Sequence, residues 1–160
     1  MKKDFQIHFE HFTAKNELNE TEISLLETAK KARENAYAPY SDFLVGCAVL
    51  LENGEIFSGN NQENAAFPSG LCAERTAVYW VAANFTDEKI SKIFVVGGPR
   101  ESSSKTPPIP PCGNCRQSLM EYETKQNQNI EIYFASVTDE IYKVSSVKDL
   151  LPFYFDSSFL

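Results

Sequence analysis

Residues 43–60 read FLVGCAVLLENGEIFSGN. Two apolar runs rich in Val, Leu, Ile and Phe flank Asn53-Gly54, the strongest short-range signal for a β-hairpin, because both residues tolerate positive φ. Upstream, a helix is predicted over 20–36. Asn19 and Glu22 make a capping box, Ile23, Leu26, Ala29, Lys30 and Arg33 follow helical spacing, and Pro39 lies just beyond. Downstream, LCAERTAVYWVAAN at 71–84 has the length and composition of a buried helix, entered through Pro68, Ser69 and Gly70. KIFVVGG at 92–98 reads as a buried strand, PRESSSKTPPIPP at 99–111 as loop, and CGNCRQSLMEYETKQN at 112–127 as a further helix. Strands follow at 130–138 and, more weakly, at 140–145, before a short helical turn broken at Pro152 and an aromatic tail. The first eighteen residues form an N-terminal arm with weak period-two character around Phe5, Ile7 and Phe9, either an added strand or a loose segment. This order of elements predicts one three-layer α/β domain over 19–160 with a mixed sheet.

The chain has 160 residues, 42% of them apolar and 23% charged, as expected of a single soluble domain able to bury its own core. No stretch approaches the roughly 20 apolar residues of a membrane helix. The N-terminus has no apolar block followed by a small-residue cleavage site, so a cytoplasmic protein with reduced thiols is expected. A net charge of −7 argues against a polynucleotide backbone as partner, since such binding takes arrayed Lys and Arg. No nucleic-acid polymer and no membrane is expected.

Three of the four cysteines fall in two short stretches, LCAERT at 71–76 and PCGNCR at 111–116. In a reducing compartment such clustering points to metal or catalysis rather than to disulfides. The Cys-x-x-Cys pair can close on one ion and a third cysteine from another element makes three ligands, the pattern of a catalytic zinc with one open position. A structural site would want a fourth ligand. Cys47, mid-strand in an apolar run, reads as a small core residue, and His8 and His11 as surface residues near a terminus. Cysteines at helix N-termini are held as thiolates by the exposed amides and the helix dipole. Three thiolates around a dication leave a net −1, so a nearby cation would help. Arg75 and Arg116 could donate to the sulfurs, or could be ordinary surface arginines. Glu74, two positions after Cys72, suits a general base that reaches the open position without coordinating.

The Cys-x-Glu and Pro-Cys-x-x-Cys pair is the zinc-deaminase signature. Together, AYAPYSDFLVGCAVL, GNNQENAAF, LCAERTA, PCGNCRQ and DLLPFYF resemble, from about 20 to 155, the small cytidine deaminases that act on free nucleosides. The resemblance implies an α/β/α cytidine-deaminase-like fold with one zinc per chain on Cys72, Cys112 and Cys115. It implies hydrolytic deamination of cytidine and 2′-deoxycytidine to uridine and 2′-deoxyuridine plus ammonia, with a zinc-activated water, Glu74 as proton shuttle, and a place in pyrimidine salvage. It gives Asn61 and Glu63 to the ribose hydroxyls and Phe43 to the base. The segments of Ala73 and Pro111 offer backbone contacts to the pyrimidine. Phe155 is given to a neighbouring subunit's site in a homotetramer. Leu44 and Cys47 stand where the family usually has proline and alanine, Phe67 replaces a frequent tyrosine that contacts a substrate hydroxyl, and the 101–111 loop and N-terminal arm are longer than usual. Two alternatives are a related deaminase of another aminopyrimidine nucleoside, such as a nucleoside antibiotic, and a non-enzymatic zinc-binding module. The ribose motif favours a nucleoside as substrate; that motif, Glu74 and the missing fourth ligand oppose the second.

Overall fold

The computed structural model describes residues 1–101, 106–138 and 140–160. Positions 102–105, in the middle of the predicted 99–111 loop, lie outside the described residues. In chain order the elements are β1 (Glu10–Phe12), α1 (Glu20–Glu34), β2 (Phe43–Leu51), β3 (Ile56–Asn60), α2 (Ala73–Asn84), β4 (Ile90–Pro99), α3 (Gly113–Gln126), β5 (Glu131–Ala135) and β6 (Ile141–Val144). They form one mixed sheet in the order β1-β6-β5-β4-β2-β3, in which β4 and β5 pair parallel and the other neighbours antiparallel.

Local signals act where the sequence puts them. Asn19 Oδ1 accepts from the Glu22 N–H and Glu22 Oε2 from the Asn19 N–H, both at 3.0 Å, which starts α1. The hairpin turns through three residues: Gly54 N–H donates to Leu51 O, Leu51 N–H to Glu55 O, and Gly54 takes φ 90°. A loop with a glycine at its positive-φ position matches strand twist as well as a two-residue turn does. In the arm the outcome differs from the predicted alternation. Residues 1–9 have no regular structure, and the strand lies at Glu10–Phe12, paired with the four-residue β6. Phe9 rests on the Tyr142 ring instead, at 5.2 Å between centroids.

Two apolar layers cover the sheet. On one face α1 buries Leu25, Leu26 and Ala29 against Ala48, Phe94 and Tyr133. On the other, Ala77, Val78 and Val81 of α2 and Leu119 and Met120 of α3 pack against Cys47, Val49, Ile93 and Ile132. Helix α2 crosses β3 so closely that a Cβ on Gly59 would sit 2.6 Å from Ala77 N. Any larger side chain there would lever the start of α2 off the sheet.

Topology then decides where a site can form. Both β3 and β4 run antiparallel to β2, so their carboxyl ends lie at one edge, together with the beginning of β2. Helices α2 and α3 each start beyond one of those carboxyl ends, in the crevice where open α/β sheets place their ligands. Cys72 caps α2 and Cys112 caps α3.

Candidate active site

At this edge the sulfurs of Cys72, Cys112 and Cys115 all lie within 4.8 Å of one another. Cys72 Sγ is 3.7 Å from Cys112 Sγ, which is 3.5 Å from Cys115 Sγ. A tetrahedral zinc with Zn–S bonds of about 2.3 Å spaces its sulfurs about 3.8 Å apart, so the donor set fits that ion in both chemistry and spacing. Both helix caps are cysteines with no side-chain cap bond, so neither sulfur is taken up in capping its helix. The Cys72 thiol is pushed down to about 5, first by the hydrogen bond from Cys115 and then by Arg75, whereas Cys115 is held well above the usual thiol range. Cys72 carries negative charge readily, and that charge opposes ionisation of Cys115 beside it. Cys47 is fully buried in the core; burial pushes its thiol up and it takes no part in the cluster.

Glu74, in the first turn of α2, is 4% exposed, and burial pushes its carboxyl up to about 6. Arg75 Nη2 donates to Cys72 Sγ at 3.5 Å. Its buried Nε has no partner among the described residues, so the guanidinium keeps a donor in reserve beside the sulfurs. Arg116, for which the sequence leaves open either a bond to the sulfurs or an ordinary surface place, is engaged with backbone carbonyls. Its Nε donates to Pro111 O at 2.8 Å and its Nη1 to Leu150 O at 2.9 Å, since the carbonyls of the loop before α3 and of the C-terminal turn lie within its reach. It thereby fastens the segment that delivers Cys112.

A cleft of about 670 Å³ opens here, and Cys72, Cys112 and Glu74 share its lining with Phe43, Asn61 and Glu63. The polar pair is built into the backbone. Asn61 Oδ1 accepts from Val45 N–H at 2.8 Å and its Nδ2 donates to Phe43 O at 2.9 Å, so the side-chain amide continues the β2–β3 ladder past the end of β3. The segment around it is pinned by Tyr37 on one side, and Gln62 exchanges two 2.9 Å backbone bonds with Leu71 on the other. Asn61→Asp keeps the acceptor for Val45 but sets a carboxylate oxygen against the Phe43 carbonyl. We expect it to lower stability by about 1–3 kcal/mol, the cost of an unsatisfied partly buried group, read as a shift in the urea midpoint without change in slope.

Ala73 is fully buried at the start of α2. Leu44 is also buried, like Cys47, so both departures from the usual family residues are packing positions. Phe67 is 72% exposed, lines the cleft and meets Tyr40 edge-on at 5.6 Å. Phe155 is outside the lining of its own chain's cleft; it is 56% exposed and stacks on Phe159 at 5.5 Å.

Sequence reading passed over the apolar walls, Val45, Leu71, Val95 and Ile109, and the residues that hold the turn before β2. The serine in PYSDF carried a usable signal, since a Ser two residues before a strand start can bond the backbone two positions on. Ser41 Oγ does accept from Phe43 N–H, at 3.1 Å.

Comparison with known proteins agrees with this geometry. The model of the cytidine and deoxycytidylate deaminase zinc-binding region matches residues 19–129. The cytidine deaminase of Sporosarcina psychrophila is 38% identical over 128 residues, 80% of this chain and 86% of that protein. That of Halalkalibacterium halodurans is 34% identical over 128 residues, 80% of this chain and 89% of its own. The crystal structure of cytidine deaminase from Burkholderia pseudomallei aligns with a TM-score of 0.71 at 38% identity, covering 83% of this chain and 98% of that one. With the sulfur set and buried glutamate inside the matched segment, the chain belongs to the zinc-binding cytidine and deoxycytidylate deaminase family.

Proposed function

We propose that the chain hydrolytically deaminates cytidine and 2′-deoxycytidine to uridine and 2′-deoxyuridine, releasing ammonia. The observation that carries this reading is the buried Glu74 carboxyl beside three clustered sulfurs, two of which, Cys72 and Cys112, line the same cleft as Glu74. Cys72, Cys112 and Cys115 hold one zinc, which when bound acidifies a water and so supplies a nucleophile near neutral pH. Glu74 accepts the proton of the attacking water, passes it to the ring nitrogen next to the amino-bearing carbon, and transfers a second proton to the departing amine. The balance is one water consumed and one ammonia released. Arg75 offsets the excess negative charge of the sulfurs, and Arg116 keeps the Pro111–Cys112 segment in place. Phe43 packs on the base, Asn61 and Glu63 take the ribose hydroxyls, and the backbone at Ala73 and Pro111 faces the pyrimidine.

The charge of the lining favours a nucleoside over its phosphate. Arg75 is the one cationic side chain in that lining among the described residues, and its charge already faces the Cys72 sulfur, while Glu63 and Glu74 are acidic. Like charges brought together in a confined site cost several kcal/mol, so kcat/KM for CMP and dCMP should be at least about 100-fold below that for cytidine. Equal turnover of nucleoside and nucleotide would overturn this specificity.

The division into an arm over 1–18 and a deaminase domain over 19–160 is part of the same proposal, as is a homotetramer. The latter is supported by Trp80, Phe153 and Phe155, which lie exposed at the surface of one chain. No helix of the described residues is long and apolar enough to cross a membrane. Four unpaired cysteines suit a reducing compartment, which we take to be the cytoplasm. The −7 charge supports a small nucleoside rather than a polynucleotide as partner. The test is direct: zinc-loaded protein with cytidine, followed by the loss of ultraviolet absorbance as cytosine becomes uracil. Turnover that stops with a chelator and returns with zinc is the expected result. Protein with one zinc per chain and no turnover would overturn the reading.

A further inference from the structure

The turn that leads into β2 contains an unusual backbone and an unusual hydrogen-bond hub. Asp42 adopts φ 54°, a left-handed conformation that non-glycine residues hold only when their surroundings impose it. Arg100 bonds it there, with Nε on Asp42 Oδ1 at 2.6 Å and its N–H on Asp42 O at 3.0 Å, and Asp42 N–H donates to Ala38 O at 3.1 Å. The preceding residue, Ser41, faces Glu63. Ser41 Oγ accepts from Phe43 N–H at 3.1 Å and donates to Glu63 Oε1 at 2.5 Å, while Glu63 Oε2 accepts from the Tyr40 and Ser41 N–H groups at 2.9 and 3.3 Å. With Phe43 N–H on its lone pair, the hydroxyl is set to send its proton to the carboxylate. A carboxylate has about four acceptor positions; three are filled from the turn, and the remaining one is on Oε1.

We propose that Ser41 is a positioning residue for ribose recognition: it fixes the Glu63 carboxylate so that its one unfilled acceptor position on Oε1 receives the 2′- or 3′-hydroxyl of the sugar. The inference rests on the assignment of Glu63 to the ribose. Without the Ser41 hydroxyl the carboxylate keeps only the two backbone N–H bonds to Oε2, so Oε1 loses its anchor in the turn and the sugar hydroxyl must order it on binding, a cost that falls on substrate affinity rather than on the chemical step.

The test uses the zinc-loaded protein with Ser41→Ala, Ser41→Thr, Glu63→Gln and the Ser41→Ala/Glu63→Gln double variant, on cytidine and on 2′,3′-dideoxycytidine. Ser41→Ala should raise KM for cytidine about tenfold with kcat within twofold, and should leave KM for the dideoxynucleoside at the wild-type value. Ser41→Thr, which keeps the hydroxyl, should restore KM, and Ser41→Ala should add nothing to Glu63→Gln. If Glu63→Gln raises KM for cytidine but Ser41→Ala does not, or penalises both substrates equally, the positioning role is overturned and the ribose assignment stands. If Glu63→Gln itself leaves KM unchanged, the ribose assignment falls and takes the inference with it.

Discussion

Glu74→Gln should lower kcat for cytidine by about 10³–10⁴-fold while the protein still takes up one zinc per chain. General acid–base catalysis by one positioned side chain contributes up to about 10⁴-fold, and here the same carboxyl handles proton transfer at both the addition and the expulsion step. The amide has the shape of the acid, so the packing of a side chain that is 4% exposed is preserved. The sulfur set within 4.8 Å contains no atom of Glu74, so metal content should not change. Steady-state kinetics, metal analysis and a thermal melt on the same preparation separate the outcomes. Undiminished turnover would remove Glu74 from the chemistry; loss of zinc with the activity would make it a ligand instead.

That glutamate could be picked out of the sequence because its signal is local: two positions from a cysteine, in the first turn of a recognisable helix. The capping box of Asn19 and Glu22 and the turn at Gly54 were legible for the same reason. What brings Cys72 to Cys112 is not local. It depends on β3 and β4 running in the same direction on either side of β2, which a single sequence suggests only through the order of its elements. Side chains that act as backbone were the least legible. Asn61 looks like a polar residue after a strand, and only the register, in which it falls opposite Val45, shows that its amide replaces the missing ladder. Arg116 sits in a motif beside a ligand, yet its length lets it reach Leu150, 34 residues away, rather than the nearby sulfurs. Charge beside charge was a fair expectation, and the uncapped carbonyls competed for it successfully.

Removing zinc, or replacing Cys115 with alanine, should abolish deamination and lower the melting temperature. Without a dication the three sulfurs cannot all be thiolates at such short range: Cys72 takes the charge with help from Arg75, and Cys115 stays protonated against it. Ligation requires the deprotonated form of each, so binding releases protons and its free energy becomes folding free energy. At free zinc about 100 times the dissociation constant this linkage amounts to about 2.7 kcal/mol, or about 5–10 °C in a domain of this size. Cys115 is fully buried at the start of α3, so its removal loosens that helix from α2 as well as the metal. Cys47→Ala is the matched control, since Cys47 is equally buried but packs in the core away from the sulfur set. It should keep zinc and turnover, losing only the small stability of a filled core position. A melt and an assay that a strong chelator leaves unmoved would show that the three sulfurs are packing, and that the chemistry of this cleft must be sought without a metal.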